Sequence, residues 1–148
     1  MYKTYSPLPR RLLNSKPLKY ITIMKEPIAT TNAPAAIGPY SQAIKADCLI
    51  FCSGQLPIDP ATGKMPEGIK DQTRQSLANV KAILAEEGLD INSVVKTTVL
   101  LADMSLFGEM NEVYGETFSQ PFPARSAFAV KALPMGALVE IEVIATCK

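Results

Sequence analysis

Leu138-Val139-Glu140-Ile141-Glu142-Val143-Ile144-Ala145-Thr146 alternates with a period of two, which reads as a β-strand. Val139, Ile141, Val143 and Ala145 make one wholly apolar face. The opposite face sets Leu138 and Ile144 beside Glu140 and Glu142. Residues 93–101 (Ser-Val-Val-Lys-Thr-Thr-Val-Leu-Leu) are rich in β-branched side chains and form a second strand. There Val95, Thr97, Val99 and Leu101 are expected on one side, and Val94, Lys96, Thr98 and Leu100 on the other. Both strands need one face fully buried, and neither has a second face that is simply polar.

Working outward, Ser41–Lys45 and Cys48–Cys52 are short strands, and Ala33–Pro39 is a loop punctuated by Pro34, Gly38 and Pro39. Leu56–Gly68 carries Pro57, Pro60, Gly63 and Pro66 and is a long turn-rich loop. A helix is expected at Ile69–Glu87, because Ile69, Thr73, Leu77, Val80 and Leu84 recur at spacings of three and four; Gly88 ends it. Asp103 or Ser105 caps a second helix to about Phe118, with a stripe of Leu106, Met110, Val113, Tyr114 and Thr117. Ala124–Lys131 and Leu138–Cys147 complete the set as strands. The order β-β-α-β-α-β-β is an α+β sandwich with two helices on one face of a mixed sheet. Two helices cover one face only. The half-apolar second face is then best covered by self-association, with an N-terminal arm as the alternative cover.

Composition narrows the chemistry. A chain of 148 residues with 47% hydrophobic and 20% charged side chains is one globular domain rather than a disordered chain. No apolar run is long enough to span a membrane. The chain has no histidine, so acid–base work falls to carboxylates, Lys, Tyr, Cys or water. Cys48, Cys52 and Cys147 form no C-x-x-C pair; they are expected to be buried packing thiols in a reducing compartment. The net charge of +1 hides an asymmetry: residues 1–24 hold Lys3, Arg10, Arg11, Lys16 and Lys19 and no acid, leaving the rest mildly acidic. That balance argues against a dedicated nucleic-acid surface. Residues 1–24, with Pro7, Pro9 and Pro17, read as an extension ahead of a 25–148 domain: an upstream-start segment with Met24 near the natural start, an organelle presequence, or an ordered arm.

Several side chains stand where chemistry could be done. Arg125 shares a strand face with the small Ala127 and Ala129, which leaves room for its planar fork to grip a carboxylate; an internal salt bridge is the plainer alternative. Glu140 and Glu142 lie on one strand face, where burial would raise the pKa of one; a solvated face is the alternative. Tyr40 and Ser53 sit at loop–strand junctions as ligand-orienting hydroxyls or local turn bonds, and Asn111 on the second helix is equally open. There is no nucleophile elbow, phosphate loop, dinucleotide fingerprint or metal-ligand cluster, so no cofactor or metal is expected.

Six segments in order resemble the Rid/YjgF family: Asn32–Gln42 (Asn-Ala-Pro-Ala-Ala-Ile-Gly-Pro-Tyr-Ser-Gln), Ser53–Pro57 (Ser-Gly-Gln-Leu-Pro), Gln75–Ile83, Val95–Val99, Phe122–Ser126 (Phe-Pro-Ala-Arg-Ser) and Val139–Ala145. The Pro-Ala-Arg-Ser segment resembles the RidA branch. The resemblance spans about residues 28–148. It implies a chorismate-mutase-like α+β fold and a homotrimer whose sheets form a central barrel, with active sites in clefts between subunits. It also implies cofactor-free hydrolysis of 2-iminobutanoate and 2-iminopropanoate, formed from 2-aminocrotonate and 2-aminoacrylate, to 2-keto acids and ammonia. The enamines arise from pyridoxal-phosphate-dependent serine and threonine dehydratases, and the setting is cytoplasmic. Carried onto this chain, Arg125 would hold the substrate carboxylate and Glu140 would position or activate water. Tyr40, Ser53 and Asn111 would line the site, and the backbone of Gly54 and Ala127 would complete it. Ala127 departs from the Cys of many relatives. The rival readings are a non-catalytic small-acid-binding regulatory module on the same fold, which needs no Glu140, and a ribonuclease or translation inhibitor.

Overall fold

The computed structural model describes residues 25–147. The role and order of residues 1–24 lie outside them. The elements are β1 (Lys25–Ile28), β2 (Ala43–Ala46), β3 (Leu49–Gln55), α1 (Ile69–Ala85), β4 (Val94–Leu101), α2 (Phe107–Thr117), β5 (Ala124–Ala129) and β6 (Val139–Thr146). The strands form one six-stranded sheet in the order β1-β2-β3-β6-β4-β5. Neighbours run antiparallel except β4 and β5, which are parallel. A parallel pair needs a crossover, and α2 supplies it. The mixed sheet with two helices is the expected α+β architecture, with β1 added at the edge. Pro27 inside β1 suits an edge position, and its four residues show too little alternation to be read in advance.

The helices cover one face of the sheet. The expected α1 stripe of Ile69, Thr73, Leu77, Val80 and Leu84 is wholly buried, as are Met110, Val113 and Tyr114 of α2. They meet Ile50, Val99, Leu101, Val139, Ile141, Val143 and Ala145 from the sheet. Gly88, at φ +67°, turns the chain out of α1, and the Leu89 N–H donates back to the Leu84 carbonyl at 3.1 Å. Asp103 accepts from the Ser105 N–H at 2.7 Å and starts the short 3₁₀ turn that leads into α2.

Two expectations need correcting. Val95 was assigned to the core side of β4, but Val94 is the buried residue and Val95 is 44% exposed. A register shift between Val94 and Lys96 against β6 inserts the extra residue and reverses the first side chain. The cysteines are not all buried: Cys52 is, Cys147 is half-buried, and Cys48 is exposed. Cys48 lies in the tight turn between paired Ala46 and Leu49, where positive φ falls on Asp47. A turn at the end of a sheet has no layer above it.

The face away from the helices has no cover among the described residues. Leu49 and Phe51 of β3 and Phe128 of β5 are between 40% and 47% exposed there. Register sets Phe51 beside Ile144 and Lys96, and Phe128 beside Leu100 and Glu140. This is the mixed apolar and charged surface expected from the β4 and β6 alternation.

Buried amides hold the loops at one end of the sheet. Asn79 of α1 is 1% exposed and donates to the Leu56 and Ile58 carbonyls at 3.0 and 2.9 Å. Gln72 accepts from the Leu138 N–H at 2.8 Å and donates to the Pro66 carbonyl at 3.0 Å. Gln42 accepts from the Thr30 N–H at 2.7 Å and donates to the Pro34 carbonyl at 2.7 Å. Each supplies a loop backbone with partners that secondary structure does not. Asn79→Leu keeps the branched side-chain skeleton but orphans two carbonyls, so unfolding in urea should show a loss of about 1–3 kcal/mol with an unchanged m-value.

Candidate active site

At one end of the β3–β6 pair, near Gly54 and Glu140, the fold opens into a cleft of about 900 Å³. Tyr40, Ser53, Gly54 and Glu140 all line it, together with Ile37 and Met135. Four residues singled out from sequence thus converge at one place.

Gly54 is there because of Glu140. A Cβ at position 54 would collide with the Glu140 carboxyl, whose Cδ lies 2.8 Å from that point. Only glycine lets the carboxylate lie down on the β3 backbone. Burial, followed by the like charge of Glu142, holds the Glu140 pKa above the ordinary carboxylate range. Such a group accepts and returns a proton more readily near neutral pH than an ordinary glutamate.

Ser53 is fixed from two sides: its N–H donates to the Gln42 carbonyl at 2.9 Å and its hydroxyl donates to the Ser41 carbonyl at 2.7 Å. With its proton committed, the hydroxyl can only accept from a ligand. Tyr40 is 52% exposed, and its hydroxyl accepts from the Ile37 N–H at 3.4 Å. Its backbone N–H closes a turn on the Gly38 carbonyl at 2.9 Å. Tyr40 and Ser53 thus make the local turn bonds of their plainer reading, and both also line the cleft.

Arg125 is elsewhere. It is the second residue of β5, the edge strand, and pairs in register with Thr97, which faces the helices. Its guanidinium donates to the Asn111 side-chain oxygen at 2.7 Å. Its Cζ stands 4.5 Å from the centre of the Tyr114 ring and 5.5 Å from that of Phe107. Among the described residues no carboxylate pairs with Arg125. The internal salt bridge weighed for it is absent, and its charge is held by a neutral amide and two ring faces. Tyr114 is itself anchored, its hydroxyl sharing a hydrogen bond with Thr97 at 2.8 Å. Burial raises its pKa, opposed by that bond and by the Arg125 charge.

Ala127, two residues on, shares the Arg125 face and packs partly against the core. The structure thus collects Arg125, Asn111 and Ala127 at the β5–α2 edge, and Tyr40, Ser53, Gly54 and Glu140 in the cleft. Glu140 pairs with Leu100 and points to the open face. Arg125 and Glu140 therefore lie on opposite faces of one sheet.

Sequence reasoning missed the cage and the loop anchors. Tyr114 was read as part of the apolar stripe of α2, which it also is. Phe107 falls outside that stripe and faces the edge strand. Gln42, Gln72 and Asn79 are polar residues at positions where periodicity requires burial, and that mismatch is the signal that could have found them.

Comparison with known proteins places this geometry. The family model described as Endoribonuclease L-PSP matches residues 30–147. The mouse 2-iminobutanoate/2-iminopropanoate deaminase is 52% identical over 125 residues, covering 84% of this chain and 93% of that protein. A protein of the conserved Rid family, YyfA of Yersinia pestis, superposes with a TM-score of 0.81 at 48% identity, covering 84% of this chain and 100% of that one. TdcF of E. coli, solved with bound serine, gives 0.79 at 41% identity, covering 83% and 99%. With the family model matched from the Thr30 turn to the end of β6, and Arg125 and Glu140 standing in the expected segments, the chain belongs to the Endoribonuclease L-PSP family of Rid/YjgF proteins.

Proposed function

We propose that this protein hydrolyses small 2-imino acids, 2-iminobutanoate and 2-iminopropanoate, to 2-keto acids and ammonia. The observation that carries the reading is the half-buried Glu140 carboxylate laid on Gly54 in a cleft, paired with an Arg125 that no carboxylate neutralises. The names of close relatives support it, and the serine held by TdcF is a small α-carboxylate of the same class.

Arg125 binds the substrate carboxylate with two parallel N–H donors, which fixes the imine carbon in place. Glu140 takes a proton from water as the water oxygen bonds to that carbon and the C=N π pair moves to nitrogen. Glu140 then returns the proton to nitrogen; the C–N bond breaks as a lone pair of the added hydroxyl forms the C=O bond, and the hydroxyl proton passes through Glu140 to the departing ammonia, leaving a 2-keto acid and ammonium. Ser53, with only lone pairs to offer, accepts from the imine N–H. A protonated imine is already a good electrophile, so the chain need only orient substrate and water.

Because the sheet stands between Arg125 and Glu140, one chain cannot bring both to one substrate. The reading therefore requires sites shared between copies. The exposed face of Leu49, Phe51 and Phe128 supplies the surface on which copies would meet, as a trimer around a central barrel. The partners are then the imino acid and two further copies of the chain. Among the described residues no helix is long and apolar enough to cross a membrane. The reading places the protein in the cytoplasm, or in an organelle if residues 1–24 act as a presequence.

Four measurements test this. Coupled to a threonine dehydratase, the protein should accelerate keto-acid release; Arg125→Ala and Arg125→Lys should each lose about 10²–10³-fold in kcat/KM. Glu140→Gln should lose about 10²–10⁴-fold in kcat while still binding a 2-keto acid; no turnover in either form would leave a binding module instead.

Mixing Arg125→Ala chains with Glu140→Gln chains should restore about a quarter of the native activity, through sites taking one good residue from each copy. No recovery would place both residues in one chain's site.

The acid limb of the rate profile should reflect Glu140. Removing the like charge with Glu142→Gln lets Glu140 ionise at lower pH, so that limb should move towards lower pH.

A further inference from the structure

Far from the cleft, at the other end of the β3–β6 pair, two cysteines that the proposed chemistry does not use come together. The ladder runs Leu49↔Thr146, and the Cys147 N–H donates to the Cys48 carbonyl at 3.0 Å, extending it by one pair. Cys48 and Cys147 are thus directly opposite one another on neighbouring strands, 99 positions apart in the chain. Facing residues in an antiparallel pair hold their Cα atoms about 4.5–5.5 Å apart, inside the roughly 4.4–6.8 Å that a disulfide spans. The Cys147 thiol already points at the turn, donating to the Asp47 carbonyl at 3.3 Å. Both thiols are free, Cys48 exposed and Cys147 half-buried.

We infer that Cys48 and Cys147 form a hydroperoxide-oxidisable dithiol that closes as an intrachain disulfide between the β2–β3 turn and the end of β6. The Cys147 thiolate attacks one peroxide oxygen, the O–O bond breaks, and water leaves with the proton, giving a sulfenic acid. The Cys48 sulfur then attacks the Cys147 sulfur, the S–O bond breaks, and a second water leaves. Two thiols give up two electrons to one peroxide, and two waters result.

The surroundings favour this order. The Lys45 ammonium, bound to Glu87 at 2.7 Å, also lies within charge-interaction reach of Cys147. Cys48, being exposed, is free to resolve the sulfenic acid. Cys52 takes no part: it is buried, and burial pushes its thiol up to about 12. The bond would close a loop over nearly the whole described chain, which restricts the unfolded state strongly. It joins the strands carrying Gly54 and Glu140 at the ends remote from those residues, so turnover should be unaffected.

The full chain is treated with stoichiometric hydrogen peroxide, quenched with N-ethylmaleimide, digested and mapped by mass spectrometry. A linked peptide containing Cys48 and Cys147 is expected, lost on reduction and absent in Cys48→Ser and Cys147→Ser. The melting temperature of the oxidised native sequence should rise by about 5 °C or more, and neither variant should show that rise. Recovery of the two cysteines as separately alkylated or separately over-oxidised peptides, or only as links between chains, overturns the inference.

Discussion

Side chains on a β-strand alternate between two faces, and that pleat separates Arg125 from Glu140, the two charges on which the proposed chemistry rests. Arg125 follows Thr97 to the helix side, while Glu140 follows Leu100 to the open side. No rotamer carries either one through a hydrogen-bonded sheet. The open face is the half-apolar surface of β3, β4, β5 and β6, which the two helices of one chain leave bare. Apolar exposure and the divided charges have one resolution in common: neighbouring copies of the chain. On the proposed reading, assembly and activity are consequences of the same alternation.

The cleft owes its shape to side chains that do no chemistry. Gln42 grips the Thr30–Pro34 loop, Asn79 holds Leu56 and Ile58, and Gln72 fixes the entry of β6 at Leu138. The amides tie these loops to the rigid elements, beyond the bonds the loops make within themselves, as around Asp59. Gly54 completes the arrangement by subtraction, since any side chain there would displace the Glu140 carboxylate. The Glu140 carboxylate is thus held by the absence of a side chain as much as by the presence of others.

Much of this was legible in the chain. The alternation of residues 138–146 marks both the strand and its unusual second face, and the α1 stripe is buried as its spacing requires. Glycine and proline punctuation sets the loops that form the cleft. Three features escaped for physical reasons. The β4 bulge inserts a residue without altering composition, so period-two counting put Val95 on the wrong side. Cys48 is apolar enough to read as core, yet its place is set by a turn whose register is a pairing property. The aromatic cage of Arg125 joins residues from α2 and β5, and no local pattern announces that contact.

The committed proton of Ser53 has a further consequence. A carbonyl such as that of Ser41 can only accept, so the hydroxyl hydrogen between them is not available to a ligand. An imine bearing N–H meets a waiting lone pair at Ser53. A ketone oxygen in the same position would meet lone pair against lone pair. On the proposed reading, the same hydroxyl therefore tells an imine, which has an N–H to give, from a ketone bound in its place, which has none.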